Sequence, residues 1–545
     1  MENRLENLLV DDGLVSVEQM ERARSLARQK NKPLLRAILE EHMADEEAVL
    51  LAVAKRQGVR FICLKEIPVL DATIKTVSAR FVSHYLIMPV SLDSGVLTIA
   101  VSDPFDMSAM EDIQASLGLR VERAFACRSD IAEAIRKYYG IGAETVERIL
   151  DEMPSAHEPE VKRRYHDLEK TAEDASVVRL VNQILDQAIR DRATDVHFEA
   201  YEDGVVIRRR IDGLLHDTKV AENISVLYPP IISRIKLMAD LNIVERRLPQ
   251  DGRVSVKMGQ KEYDLRVSVI PTLHGENIVV RILPATMLLS MEDLGLSPRN
   301  HETLTGLISR PHGIIMVTGP TGSGKSTTLY ACLSKLNTRE RKIITIEDPV
   351  EYEIKGLTQT QINPQIGLTF ARALRSMLRH DPNVMMVGEI RDRETAEVTV
   401  QTALTGHLVF STLHTNDAAS AAVRLVDMGV DPYLVASSVR AFTAQRLVRV
   451  ICAGCREQYE AGGKIMFRGK GCRKCSNTGY YGRVAICEIL VLDDIIGELV
   501  MRRASASEIK TRAVSSGMVT MLQDGWEKVA QGVTTAEEIL RVTSE

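Results

Sequence analysis

A nine-residue segment, GPTGSGKST at residues 319–327, constrains the fold more than any other part of the sequence. It fits the pattern G-x-x-x-x-G-K-[ST], follows the strand-like run GIIMVT and opens the helix-like run STTLYACLSKL. In that context glycines let backbone N–H groups surround phosphate oxygens, and the helix N-terminus adds positive potential. The segment therefore predicts an open α/β domain that binds nucleotide phosphates, although a glycine-rich turn without a ligand is the alternative.

Within this loop each position has an expected role. We expect Lys325 to reach the β- and γ-phosphates of ATP and Ser326 to ligate Mg²⁺. The predicted nucleotide-binding residues of the loop are Gly319, Pro320, Thr321, Gly322, Ser323, Gly324, Lys325, Ser326 and Thr327.

Three further apolar strands in the same region end on a polar residue. KIITIE ends at Glu347, NVMMVGE at Glu389 and LVFSTLH at His414. Because ligands of open α/β sheets bind at the carboxyl ends of parallel strands, these side chains should converge on the phosphates. We expect Glu389 to hold Mg²⁺ through water or to polarise the attacking water, and Glu347 to be a second carboxylate available as general base. His414 would contact the γ-phosphate.

A second histidine, His407, lies at the other end of the last of these strands. The six strand residues between the two histidines span ~20 Å at roughly 3.3 Å per residue, so we do not expect the two imidazoles to share one metal ion. A histidine that satisfies the backbone of a turn and a histidine at a subunit contact are both compatible with this position.

Composition limits the class of ligand and the location. The 545 residues carry a formal net charge of −5 and contain 9 Phe, 13 Tyr and 1 Trp, so neither charge nor stacking platforms favour nucleic-acid binding. The N-terminal residues MENRLENLLV lack the pattern of a secretory signal, and no apolar run approaches the ~18 residues that span a bilayer. We expect a cytoplasmic protein that reaches membranes through partners.

Four of the eight cysteines form two close pairs with the spacing C-x2-C-x16-C-x2-C, at Cys452, Cys455, Cys472 and Cys475. Two tight turns that each present two sulfurs suit a closed, structural zinc site. A set of buried or regulatory thiols is the alternative. The zinc insert is expected to be a docking or stiffening element.

The remaining sequence divides into domains of mixed α/β character. The predicted parts are an N-terminal docking domain at 1–140 (helical over 1–60 and α/β over 61–140), a linker with some helix at 141–172, an arginine-rich α/β domain at 173–288, and an ATPase domain at 289–545 with the zinc insert at 450–485 and C-terminal helices. Capping-box spacings at Ser505/Glu508 and Thr535/Glu538 mark the starts of two of these helices.

Four motifs in this order resemble those of a known family. GPTGSGKSTTLY, TIEDPVEY, LRHDPNVMMVGEIRD and TGHLVFSTLHTNDA resemble the Walker A, Asp box, Walker B and His box of the secretion-superfamily motor ATPases, over residues ~173 to 545. The chain most resembles the GspE family of type II secretion, and next the PilB family of type IV pilus extension ATPases. His380 stands where the family often has Gln, and Asn383 where it has Asp.

The resemblance implies a fold and an assembly. It implies a RecA-like P-loop ATPase core and a PAS-like N2 domain that closes on the core as ATP binds, in a homo-hexameric ring. It also implies that N2 arginines reach the phosphates; the matching candidates are Arg208, Arg210, Arg246 and Arg247, of which we assign Arg210 and Arg246 to catalysis. A solvated surface side chain is the alternative for each arginine.

The N-terminal segment RLENLLVDDGLVSVEQ resembles a domain of the same ATPases that in some members binds cyclic di-GMP through RLGxxLVxxG. The matching positions are Arg4, Leu5, Leu9, Val10 and Gly13. Glu6 replaces a glycine of the motif, and a carboxylate beside a dianionic ligand is unfavourable. We therefore favour docking to a cytoplasmic domain of an inner-membrane partner over cyclic di-GMP binding.

The leading hypothesis is a motor ATPase that feeds pilin-like subunits into a filament in type II secretion, together with an inner-membrane platform protein. Type IV pilus assembly is the nearest alternative. An ATP-dependent nucleic-acid translocase is a remote one, and a nucleotide-dependent regulatory switch has less need of both Glu347 and Glu389.

Overall fold

The computed structural model of the chain describes residues 8–30, 33–65, 67–152, 174–221, 223–284 and 290–544. The chain divides into two compact units, the first comprising Met1–Arg210, Leu215–Val254 and Leu265–Ile282, and the second Ile211–Leu214, Ser255–Asp264 and Leu283–Glu545. Within the described ranges, no helix combines the length and the apolar character that a bilayer crossing requires.

The first unit opens with helices around a small sheet. The helices are α1 (Val17–Lys30), α2 (Leu34–Glu40), α3 (Glu46–Gln57), α4 (Asp71–Ile74), α5 (Ala79–Tyr85), α6 (Ser108–Leu117), α7 (Arg128–Tyr139) and α8 (Ala143–Glu152). The strands are β1 (Arg60–Phe61), β2 (Ile87–Asp93), β3 (Val96–Val101) and β4 (Arg120–Phe125), in the order β1-β4-β3-β2. Helix α3 shows why such elements form here: the Asp45 side chain accepts a hydrogen bond from the Ala48 N–H at its start, and Gly58 takes a left-handed conformation at its end.

Helix α8 lies inside the segment that the sequence predicts to be a linker. Its side chains Val146 and Ile149, three residues apart, are buried, so a short apolar stripe within a charged segment is enough to dock one helix. The remainder of the predicted linker, from residue 153, lies outside the described residues.

A six-stranded sheet completes the first part of the fold. Its strands are β5 (Ala193–Tyr201), β6 (Gly204–Ile211), β7 (Leu214–Asp217), β8 (Gln250–Met258), β9 (Lys261–Thr272) and β10 (Gly275–Pro284), in the order β7-β6-β5-β10-β9-β8. Two helices accompany the sheet, α9 (Ala175–Arg190) and α10 (Ile224–Met238). Helix α9 buries Val177, Leu180, Val181 and Ile184 on one face, which is the periodicity of an amphipathic helix.

The second unit is built on a seven-stranded sheet. Its strands are β11 (Gly313–Thr318), β12 (Ile343–Glu347), β13 (Thr358–Gln361), β14 (Val384–Val387), β15 (Leu408–Leu413), β16 (Val439–Ile451) and β19 (Tyr480–Val491), in the order β13-β12-β14-β15-β11-β16-β19. All neighbouring pairs are parallel except β16 with β19. Every residue of β11, β12, β14 and β15 is buried, as expected of parallel strands covered on both faces.

Helices on the two faces and at the C-terminal end of the chain complete this unit. They are α11 (Pro298–Ile308), α12 (Lys325–Leu336), α13 (Phe370–Met377), α14 (Arg393–Leu404), α15 (Ala418–Asp427), α16 (Pro432–Ser438), α17 (Asp494–Met501), α18 (Ala506–Ser515), α19 (Met521–Ala530) and α20 (Ala536–Thr543). A separate hairpin, β17 (Arg456–Ala461) with β18 (Lys464–Gly469), lies between the two cysteine pairs.

The predicted helix starts at Ser505 and Thr535 are confirmed, because each side chain accepts a hydrogen bond from a backbone N–H three residues on. The second hydrogen bond of a capping box, in which the Glu538 carboxylate would accept from the Thr535 N–H, is replaced by a different contact. The Glu538 carboxylate is buried and binds the guanidinium of Arg449, with a nitrogen–oxygen distance of 2.7 Å. A charged partner outcompetes the backbone N–H of the cap.

Candidate functional site

The loop between β11 and α12 has the shape of a phosphate cradle. Gly319, Gly322 and Gly324 have φ values of +151°, +79° and +87°, a region that side chains other than glycine rarely adopt. A Cβ at Gly319 would lie 2.5 Å from the carbonyl oxygen of Gln445. Space and conformation therefore both require glycine here, and the loop that the sequence predicts is present.

Lys325 begins α12 and folds back over this loop. Its Nζ donates hydrogen bonds to the carbonyl oxygens of Gly319 and Pro320, at 2.8 and 3.1 Å. Burial lowers the pKa of Lys325 to about 8, an effect that the carboxylate of Glu389 opposes and the guanidinium of Arg446 reinforces. An anion in the loop would replace carbonyl dipoles with full negative charge, which favours the protonated lysine.

A buried glutamine that sequence reasoning missed holds the loop against the sheet. Gln445 on β16 is 1% exposed. Its Nε2 donates to the Ser323 carbonyl oxygen at 2.8 Å, and its Oε1 accepts from the Thr328 hydroxyl at 2.7 Å. One side chain thus connects the loop, the first turn of α12 and the neighbouring strand. The only signal in the sequence is a polar residue within the apolar strand AFTAQRLV.

The predicted parallel arrangement of β11, β12, β14 and β15 is confirmed, and it brings two of the predicted side chains together. His414 Nε2 lies 3.4 Å from Glu389 Oε2. The Glu389 side chain is 13% exposed and also forms an ion pair with Arg391. The Glu389 carboxylate also raises the pKa of Lys325 against the effect of burial, so Glu389 acts electrostatically on both the imidazole and the lysine of the phosphate loop.

Glu347 lies at the end of β12 as the sequence predicts, but its carboxylate is enclosed. Glu347 is 4% exposed, and its oxygens accept hydrogen bonds from the Tyr330 hydroxyl, the Thr345 hydroxyl and the Gln359 amide. The pKa of Tyr330 is raised by burial and by this carboxylate. In this arrangement Glu347 anchors α12 to the sheet, and a role as general base would require these hydrogen bonds to open.

The turn after His414 lies at the carboxyl edge of the sheet, where side chains of two strands form hydrogen bonds with it. The Thr318 hydroxyl accepts a hydrogen bond from the Thr415 N–H at 2.9 Å, and the Arg446 guanidinium donates to the Asn416 side-chain oxygen at 3.2 Å. Thr318 immediately precedes the phosphate loop, so loop and turn share one support.

His407, the first histidine of TGHLVFSTLHTN, has a local role. Its Nδ1 lies 3.0 Å from the Thr402 carbonyl oxygen and 3.1 Å from the Thr405 hydroxyl. Of the two interpretations left open by the sequence, these contacts favour a histidine that satisfies the backbone of the turn before β15.

The four predicted arginines belong to the first unit, and each lies near a carboxylate of that unit. The nitrogen–oxygen pairs are Arg208 with Glu199 at 2.6 Å, Arg210 with Asp195 at 3.7 Å, Arg246 with Glu276 at 3.9 Å and Arg247 with Glu245 at 2.7 Å. Arg208 and Arg247 are held by close pairs, whereas these contacts of Arg210 and Arg246 are longer.

The four cysteines of the insert form one cluster. Their Sγ atoms all lie within 4.8 Å of one another, with separations of 3.7 Å for Cys452 to Cys472 and 3.8 Å for Cys455 to Cys475. Four sulfurs placed tetrahedrally about 2.3 Å from a zinc ion would be about 3.8 Å apart. Burial raises the pKa of the Cys472 thiol. Hydrogen bonds, including those from the Cys475 and Lys474 backbone, outweigh this effect and lower the pKa to about 7.

At the N-terminus, Arg4, Leu5 and Glu6 lie outside the described residues. Leu9 is fully buried in the core of the first unit, and Gly13 takes a left-handed φ of +67°. The part of the predicted motif that is described therefore has structural reasons for its residue types.

Comparison with known proteins gives consistent results for both parts of the chain. Residues 170–541 match the family described as Type II/IV secretion system protein, and residues 57–145 match the MshEN domain. The Type IV pilus assembly ATPase PilB of Myxococcus xanthus is 42% identical over 100% of this chain and 99% of its own length. The Type II secretion system ATPase E of Vibrio cholerae is 42% identical over 85% of this chain and 92% of its own length.

A solved structure supports the fold. The Legionella pneumophila ATPase DotB aligns with a TM-score of 0.51 and 22% sequence identity, covering 67% of this chain and 95% of DotB.

Proposed function

The chain belongs to the Type II/IV secretion system protein family of ATP-hydrolysing motors, and we propose that it drives the assembly of pilin-like filaments in type II secretion. The observation that carries this proposal is the contact of Glu389 with His414 at the edge of the sheet that also carries the formed phosphate loop and its Lys325. These are the groups that phosphoryl transfer to water requires: a cation for the phosphates, a carboxylate for the water and a polar contact for the departing phosphate.

In this mechanism the loop N–H groups and Lys325 bind and orient the phosphates. Glu389 accepts the proton of the attacking water, and its contact with His414 fixes the direction of its carboxylate. Glu347 positions α12 through Tyr330. Binding energy then favours closure of the arginine-rich domain on the ATPase domain, with Arg210 and Arg246 supplying positive charge to the phosphates.

The residues present fit a magnesium ion and a zinc ion. Ser326 is exposed at the first turn of α12, where its hydroxyl would ligate Mg²⁺ beside the phosphates, and Mg²⁺ would neutralise phosphate charge. Cys452, Cys455, Cys472 and Cys475 would hold Zn²⁺ in a closed structural site, because all four ligands are sulfur and none is replaceable by substrate.

We further propose a homo-hexamer in the cytoplasm that is recruited to the inner membrane by partner proteins. The predicted partners are an inner-membrane platform protein and a protein with a cytoplasmic domain that binds the N-terminal region. Type IV pilus assembly is the second candidate, because the PilB relative is matched over the whole chain at the same identity as the secretion ATPase of Vibrio cholerae.

The test is ATP turnover per subunit across a range of protein concentrations, with Glu389→Gln as the inactive control. Specific activity that rises with concentration and vanishes in the variant supports a motor completed by assembly. Activity that is independent of concentration, or that is raised by added DNA, would contradict it and favour the translocase alternative. Restoration of secretion or of pili in a strain lacking the protein distinguishes the two filament systems.

A further inference from the structure

A buried carboxylate on the last strand of the sheet contacts two helices at once. Glu488 on β19 is 1% exposed. Its Oε1 accepts a hydrogen bond from the Ala418 N–H at 3.0 Å, and its Oε2 accepts one from the Met521 N–H at 3.1 Å. Ala418 and Met521 are the first residues of α15 and α19, so both N–H groups belong to the positive ends of helices.

The position of Glu488 in the sheet places it in line with the nucleotide loop. Register pairs Leu413 with Thr318, Thr318 with Ala444 and Ala444 with Glu488, so one row of residues crosses β15, β11, β16 and β19. The segment from His414 to Ala418 runs over this row.

Each of three strands holds this segment by one side chain. Thr318 holds Thr415, Arg446 holds Asn416 and Glu488 holds Ala418. Glu488 is the last of the three supports, and it also binds the first residue of the C-terminal helix α19. The end of the segment that begins at His414 is thus hydrogen-bonded directly to Glu488.

We propose that Glu488 is a positioning residue that links the state of the nucleotide at His414 to the position of α19. The inference rests on ATP being the ligand of the phosphate loop. Its physical basis is that a carboxylate can accept from both N–H groups, whereas displacement of either donor leaves a buried polar group without a partner, which is costly. The two helix starts therefore move together.

A tryptophan on α19 can serve as a fluorescent reporter of the position of this helix. Trp526 is the single tryptophan of the chain, it lies on α19 and it is 41% exposed. Its fluorescence should change when an ATP analogue binds to the full-length protein. In Glu488→Gln the amide offers one acceptor and one donor, so one of the two hydrogen bonds is lost and the fluorescence change should be lost or strongly reduced.

The matched control is Asp524→Asn. Asp524 is fully buried on the same helix, accepts a hydrogen bond from the Cys487 N–H at 3.0 Å and pairs with Lys528, so its hydrogen bonds go to β19 and its own helix and not to residues 414–418. This variant also loses a buried carboxylate, but it should keep the nucleotide-dependent fluorescence change. An equal loss in both variants would mean that Glu488 merely stabilises the fold and would overturn the proposal.

Turnover gives a second readout. Glu488→Gln should lower kcat about tenfold with little change in KM. In combination with His414→Ala it should add little to the effect of the more damaging single change, since both act through one segment. Multiplicative effects would overturn the proposal. If the unaltered protein shows no ATP turnover, the proposed function fails. If the unaltered protein hydrolyses ATP and Glu488→Gln shows the same kinetics and the same fluorescence change, the link through Glu488 fails.

Discussion

His414 Nε2 and Glu389 Oε2 are 3.4 Å apart, although 24 residues, which include α14 and β15, separate them in the chain. The side chain of His414 is 50% exposed and that of Glu389 is 13% exposed. The carboxylate is therefore partly withdrawn from water while the imidazole remains open to a ligand. This difference fits a carboxylate that acts on water and a histidine that senses phosphate.

Glu389→Gln and Glu347→Gln should have different effects. We expect Glu389→Gln to lower kcat by about 10²-fold or more, because an amide cannot accept the proton of the attacking water. Glu347→Gln should chiefly lower the free energy of unfolding, by about 1–3 kcal/mol, because its carboxylate accepts several buried hydrogen bonds. Steady-state kinetics and thermal unfolding of both variants check this.

Tyr330→Phe serves as the control for this comparison. It removes the hydroxyl that binds Glu347 and leaves Glu389 and His414 unaltered. If Glu347→Gln abolishes turnover without affecting unfolding, Glu347 is the general base and its enclosed position opens during the cycle.

The sequence predicts the parts of this site that depend on local pattern, and misses those that depend on pairing across the fold. The loop at 319–327 is readable because a strand and a helix flank it, and Glu347, Glu389 and His414 are readable because each lies at the end of an apolar strand. The enclosure of Glu347 is not, since it depends on Tyr330 of another element. Gln445 binds Ser323 from 122 residues away, a distance over which single-sequence periodicity carries no information.

Gln445→Leu should destabilise the phosphate loop. The change leaves the Ser323 carbonyl and the Thr328 hydroxyl without their buried partner, which should cost about 1–3 kcal/mol and weaken nucleotide binding. Isothermal titration with an ATP analogue and chemical unfolding measure the two effects.

A matched control lies two residues away on the same strand. The Thr443 hydroxyl is buried and has no hydrogen-bond partner within the described residues, so Thr443→Val should leave stability unchanged or improve it. Unaltered nucleotide affinity in Gln445→Leu would show that the loop keeps its shape without this side chain.

Nucleotide affinity should fall as the pH rises above about 8. Burial lowers the pKa of Lys325 to about 8 in the nucleotide-free protein, so the side chain is largely charged at pH 7 and loses its charge through this range. Bound phosphates favour the charged form, and binding at pH 9 therefore takes up a proton. The dissociation constant of an ATP analogue should rise by up to about tenfold per pH unit between pH 8 and 9.5.

Lys325→Arg isolates this effect, because arginine stays charged throughout the range. Its affinity is expected to be lower at pH 7 but independent of pH. An unaltered protein whose affinity is also flat to pH 9.5 would mean that the lysine remains protonated without nucleotide.

Metal analysis and chelation test the cysteine cluster. We expect one zinc ion per chain, since all four sulfurs lie within 4.8 Å of one another and three of their separations, at 3.7 to 3.8 Å, match the edges of a tetrahedral site. Cys472→Ser should lose the ion and lower the unfolding temperature, because the hairpin β17–β18 is connected to the sheet on both sides through these cysteines. Cys63→Ser, in the first unit and outside the cluster, should keep one zinc ion. Full retention of stability after complete removal of zinc would show that hydrogen bonds such as that from the Cys452 N–H to the Gly479 carbonyl suffice to hold the insert.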